Sequence, residues 1–113
     1  MHELSIALGI VEIAEKEVLK AGASKVELIE LEIGKLSGVE IEALNFAWPQ
    51  ATEGSVLETA EKKIYVIKGV AECLDCNIKF DIENIYDSCP KCNGYLKNII
   101  QGKELRVKAL TVD

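Results

Sequence analysis

Four cysteines are the residues of this 113-residue chain best suited to chemistry, and they fall as Cys73-Leu74-Asp75-Cys76 and Cys89-Pro90-Lys91-Cys92. In a CxxC turn both thiolates converge on one point, and two such turns supply the four soft donors of a tetrahedral zinc site. Pro90 fixes φ, and Gly94 is expected to accept a positive φ, so that the second turn wraps tightly around the ion. With every coordination position filled by protein, such a site holds a fold together and leaves no place for a substrate. Two disulfides would need an oxidising compartment, and a redox CxxC usually stands alone beside a βαβ unit. Neither explains the doubled motif as well.

His2 is the only histidine. Read by itself, a second-position histidine is an ordinary solvated tail residue. A sharper chemistry is also open to it: the Met1 amine, the His2 amide nitrogen and the His2 imidazole can lie in one plane around a metal. Nitrogen-rich, square-planar donor sets suit Ni(II) or Cu(II). Glu3, with a carboxylate from elsewhere, could complete the shell. Spacing alone does not choose between these readings.

The bulk properties narrow the function classes. A formal net charge of −6 argues against nucleic acid, whose binders need cations to displace counterions from phosphate. No apolar run approaches the ~20 residues of a membrane span. The Met-His-Glu-Leu-Ser start lacks the cationic flank of a secretory signal, so a cytoplasmic, reducing location is expected. There is no Ser/His/Asp set and no phosphate-cradling glycine loop, and the carboxylates read as helix and strand surface. The chain is not expected to be an enzyme.

The elements that must position these residues follow from the periodicity. Residues 3–21 carry apolar side chains at helical spacing (Leu4, Ala7, Leu8, Val11, Ala14, Val18) and stop at Gly22. Lys25–Ile33 reads as a strand whose alternation slips at Leu28-Ile29, as a bulge or two-sided cover would produce. After the turn Gly34-Lys35-Leu36-Ser37-Gly38, Ser37 and Glu40 have capping-box spacing ahead of a second helix, which Pro49 should kink or end. Residues 50–55 read as loop, and 56–67 contain a second strand, clearest at Ile64–Ile67. Lys79–Ile82 is a short strand near the cysteines, and Glu104–Val112 a further strand. The expected fold class is α+β: two helices on a small, mostly antiparallel three-stranded sheet, with an inserted zinc-ribbon lobe. The expected domains are 1–69 with 98–113, and 70–97. Insertion of the lobe between paired strands is compatible with exchange into a homodimer.

Met1-His2-Glu3-Leu4-Ser5, Gly34-Lys35-Leu36-Ser37-Gly38-Val39-Glu40, the two CxxC pairs and Gly102-Lys103-Glu104-Leu105 together resemble the HypA/HybF family of hydrogenase maturation proteins. The match runs in order along nearly the whole chain. The resemblance implies a nickel metallochaperone that works with the GTPase HypB and delivers Ni(II) to the precursor of the [NiFe]-hydrogenase large subunit. It implies nickel ligands at His2, the Met1 amine and Glu3, in the domain formed by 1–69 and 98–113. It also implies zinc ligands at Cys73, Cys76, Cys89 and Cys92. Glu40 matches an acidic position placed near the nickel, although its capping-box role competes. The alternative is a zinc-ribbon adaptor for protein–protein or nucleic-acid binding, with His2 incidental.

Overall fold

The computed structural model describes residues 2–113, and Met1, the source of the expected amine ligand, lies outside the described residues. In chain order the elements are α1 (Glu3–Ala21), β1 (Val26–Gly34), α2 (Ile41–Thr52), β2 (Glu61–Ile67), β3 (Gly69–Cys73), β4 (Lys79–Ile82), β5 (Lys97–Gln101) and β6 (Leu105–Val112). Two three-stranded sheets result, ordered β2-β1-β6 and β4-β3-β5. The α+β class is as the periodicity indicated.

The chain divides into two compact units. The first comprises Met1–Leu31, Val39–Ile64 and Val107–Asp113, and the second Glu32–Gly38 and Tyr65–Arg106. Strands β1, β2 and β6 each run from one unit into the other, so the second unit takes in more chain than residues 70–97.

In the first unit, α1 buries Ala7, Ile10, Ala14 and Val18, one stripe at helical spacing. It closes on Gly22 at φ 66°, where the Ala23 amide donates to the Val18 carbonyl at 3.1 Å, the wide bond of a Schellman stop. Helix α2 packs on α1, with its Leu44, Trp48 and Ala51 buried, and Val26 and Ile29 of β1 are buried in the same unit. The slip in β1 has a direct correlate: Val26 is buried, Leu28 half-buried, and Ile29, Leu31 and Ile33 are fully enclosed.

The second helix corrects two expectations. It starts at Ile41 with Glu40 as its N-cap residue and no side-chain cap bond, so Ser37 and Glu40 do not form a capping box. Ser37 sits instead in the tight turn, its amide donating to the Gly34 carbonyl at 3.0 Å. Nor does Pro49 end the helix, which continues to Thr52. Proline removes one amide from the ladder, here the donor to the Asn45 carbonyl. The last turn is held nonetheless, with Thr52 Oγ1 donating to the Trp48 carbonyl at 2.9 Å and Ala51 and Thr52 buried.

In the second unit, β3 is the central strand and pairs antiparallel with both β4 and β5. Its core is small: Ala71, Cys73, Phe80, Ile82 and Cys89, with Leu36, Cys76, Ile78 and Ile99 packed against it. The strand pair β3–β5 brackets the cysteines, and neither strand was separately resolved by the sequence reading. Their alternation is short and carries few β-branched residues, a weak signal at this length. No helix among the described residues is long and apolar enough to cross a membrane.

Candidate metal centre

Each CxxC turn is built by the same hydrogen bonds. The Asn77 amide donates to the Cys73 carbonyl at 2.9 Å, and the Asn93 amide to the Cys89 carbonyl at 2.8 Å. The Cys73 amide donates to the Ile78 carbonyl at 2.8 Å, and the Cys89 amide to the Gly94 carbonyl at 2.9 Å. In both turns the residue after the second cysteine is left-handed, Asn77 at φ 65° and Asn93 at φ 61°. Asparagine tolerates that region better than other residues with a Cβ. This corrects the role given to Gly94, which is not among the positive-φ residues. Gly94 matters for room: a Cβ there would stand 2.6 Å from Asp75 Oδ2 and 3.3 Å from Cys92 Sγ. The signal for the asparagines was in the chain, since both motifs read C-x-x-C-N.

The two turns bring the four sulfurs within 4.8 Å of one another. Cys73 Sγ lies 3.6 Å from Cys92 Sγ, and Cys76 Sγ 3.6 Å from Cys89 Sγ. A disulfide holds its sulfurs about 2.05 Å apart. Four sulfurs each ~2.3 Å from a tetrahedral zinc stand about 3.8 Å apart. The arrangement therefore fits a metal and not a pair of disulfides. Cys73 and Cys89 are buried, Cys76 is half-buried and Cys92 is exposed, so the site is anchored in the core and open on one side.

Backbone amides support the sulfurs. Amides of Lys91 and Cys92 face Cys89, while the Ile78 amide faces Cys76 and the Gly94 amide faces Cys92. Burial works against the Cys89 thiolate, but those amides and the neighbouring thiols prevail and bring it down to about 7. For Cys92 the Gly94 amide favours the thiolate, yet the hydrogen bond with Cys73 and burial outweigh it and push the thiol up to about 12. Burial likewise raises Cys76. Four thiolates cannot share so small a volume unaided, and a divalent ion supplies the charge that lets all of them ionise. Zn(II) suits a closed all-sulfur donor set of this kind, where it would hold the fold together rather than act on a substrate.

The amino-terminal residues are arranged differently. His2 is exposed and serves as the N-cap residue of α1, its carbonyl accepting from the Ile6 amide at 2.9 Å while its side chain makes no cap bond. Glu3 is only 7 % exposed. Its Oε2 accepts the Glu40 amide at 3.1 Å, so the first residue of α1 binds the N-cap residue of α2. The Glu40 side chain is exposed. Among the described residues, the cysteines form the one cluster of three or more His, Cys, Asp or Glu able to hold a metal.

A family profile described as "Hydrogenase/urease nickel incorporation, metallochaperone, hypA" matches residues 1–112. The hydrogenase maturation factor HypA of Parabacteroides distasonis is 49% identical over 112 residues, covering 99% of this chain and 97% of that protein. HypA of Azotobacter chroococcum is 43% identical over the full length of both. The solution structure of the Ni metallochaperone HypA from Helicobacter pylori superimposes with a TM-score of 0.70 at 30% identity, covering 99% of this chain and 97% of that one. The chain belongs to the HypA family of hydrogenase maturation factors.

Proposed function

We propose that this chain is a nickel metallochaperone that binds Ni(II) at its amino terminus. With a HypB-type GTPase it delivers the ion to the precursor of the [NiFe]-hydrogenase large subunit in the cytoplasm. Nickel is cargo here, and the chain has no reaction of its own. The observation that carries the proposal is full-length membership of a nickel-incorporation family, combined with an exposed His2 at the very start of α1.

The donors are the Met1 amine and the His2 amide and imidazole. As an N-cap residue, His2 keeps its amide outside the intrahelical ladder, because the first amides of a helix have no partner within it. A nickel ion that replaces the amide proton there takes nothing from the fold. The same position limits affinity. The N-terminal end of a helix carries partial positive charge, which opposes a dication. Binding that is specific in geometry yet electrostatically opposed suits an ion that must be released. Because nickel displaces protons from its nitrogen donors, affinity should fall as pH falls. The zinc ligands Cys73, Cys76, Cys89 and Cys92 stiffen the second unit and take no part in cargo binding.

The test is a calorimetric Ni(II) titration of the zinc-loaded chain with its native start, beside the same chain carrying an N-terminal extension and beside His2→Ala. One ion should bind the native chain, and both altered chains should bind at least about tenfold more weakly, since each loses one nitrogen donor. Equal binding by all three would remove the amino terminus as the site.

A further inference from the structure

Glu3 was expected to be a nickel ligand, yet its surroundings give the side chain another occupation. A carboxylate that is 7 % exposed must have its charge compensated, because desolvating an unpaired carboxylate is strongly unfavourable. Two helix N-termini provide the compensation. Glu3 lies in the first turn of α1 and also accepts the amide of Glu40, the N-cap residue of α2, at 3.1 Å. An N-terminal turn exposes unpartnered amides and partial positive charge, and one carboxylate here answers two of them. Neither capping residue helps itself: His2 and Glu40 make no side-chain cap bonds. The hydrogen bond to the Glu3 side chain thus ties the residue after His2 to the start of α2.

We infer that Glu3 is a positioning residue rather than a nickel ligand: its carboxylate fastens the start of α1 to the Glu40 amide and so sets where the amino-terminal donors point. This deepens the proposed function and rests on nickel binding by Met1 and His2. The consequence is steric order. His2 precedes the helix and joins it through its carbonyl, which accepts the Ile6 amide, so the direction of its amide and imidazole depends on how firmly the first turn is held. Loss of that hold lets the first turn fray, and each nitrogen donor must then be ordered by the metal itself.

Two variants separate holding from ligation. In Glu3→Gln the side-chain amide oxygen can still accept the Glu40 amide, whereas in Glu3→Ala nothing can. The first readout needs no nickel: exchange of the Glu40 amide, followed by NMR in zinc-loaded protein. Exchange should stay slow in Glu3→Gln and accelerate by about tenfold or more in Glu3→Ala, the scale of one lost charge-assisted hydrogen bond. The second readout is Ni(II) affinity together with the absorption spectrum of the nickel-bound chain. Glu3→Gln should stay within about threefold of the native affinity with an unchanged spectrum, and Glu3→Ala should fall about tenfold, in keeping with a lost anchor. A purely structural role would change melting alone and leave both nickel readouts unmoved in Glu3→Ala, which would overturn the inference. It is equally overturned if Glu3→Gln keeps the slow amide but loses nickel as Glu3→Ala does, because the carboxylate would then be a ligand. Should the amide behave as described while an N-terminal extension has no effect on nickel, the positioning bond stands and the nickel assignment fails.

Discussion

Each CxxC turn closes on an asparagine held in the left-handed region, and that residue carries as much of the turn's geometry as the cysteines do. Replacement of Asn77 by glycine should be tolerated, whereas Asn77→Val should lower the stability of the zinc-bound lobe by about 1–2 kcal/mol, the penalty of a branched Cβ at positive φ. Thermal melts of zinc-loaded variants measure the difference. Cys76→Ala should be harsher, abolishing tight zinc binding. A structural zinc is folding free energy for the lobe around it, so the variant should melt earlier with or without added zinc. At this scale the cysteines were fully legible, because their spacing states its chemistry. The Glu3–Glu40 bond was not, since it joins side chain to backbone across 37 residues. No local pattern encodes such a partner.

Among the elements, the bounds of α1 were legible because helical spacing, an acidic start and a glycine stop agree, but Leu4 and Leu8, expected on its apolar stripe, are exposed, and Ile10 is buried with Ala7, Ala14 and Val18. For α2 local rules misled in two places. A capping box was sought at Ser37, while the donor it would have satisfied is taken by Glu3 from another helix. Pro49 was expected to kink or end the helix and residues 50–55 to be loop, yet α2 runs on to Thr52, with Trp48, Ala51 and Thr52 buried. A second contact hidden from local reading is the clasp at the end of β6. Asp113 accepts from the Ser24 hydroxyl, from the Ser24 amide at 2.9 Å and from the Lys25 amide at 3.2 Å. The hydrogen bond from the Ser24 hydroxyl, followed by those from the two amides, lowers its carboxyl from 3.8 to about 2. A depressed carboxyl stabilises the fold above its unfolded value and loses that contribution as pH falls through its folded value. The clasp is therefore complete at neutral pH and should weaken between about pH 4 and pH 2. Asp113→Ala should melt earlier at pH 7 and show a shallower decline in stability across that acid window, as acid titrations followed by circular dichroism would show.

At the scale of the molecule, the two units are unequal in charge and in core. Twelve acidic and six basic side chains fall in the first unit, against seven and seven in the second, so the whole net charge of −6 belongs to the unit that carries His2. A negative field of this kind draws dications toward that unit and weakens as salt screens it. The first unit has an extended apolar core, while two of the five buried residues in the second unit's cluster are cysteines of the candidate metal site. Zinc removal by a chelator should accordingly unfold the second unit and leave the first, so that heating the stripped chain shows one remaining transition, that of the first unit. Trp48, buried in the first unit, is the chain's only indole, and all three phenols, Tyr65, Tyr86 and Tyr95, belong to the second. The molecule thus carries its own pair of optical labels. Emission excited at the red edge of the absorption band reports the unit that carries His2 alone, while the near-ultraviolet phenol signal follows the unit that carries the cysteines, so each unit's collapse can be timed without attaching a dye to either.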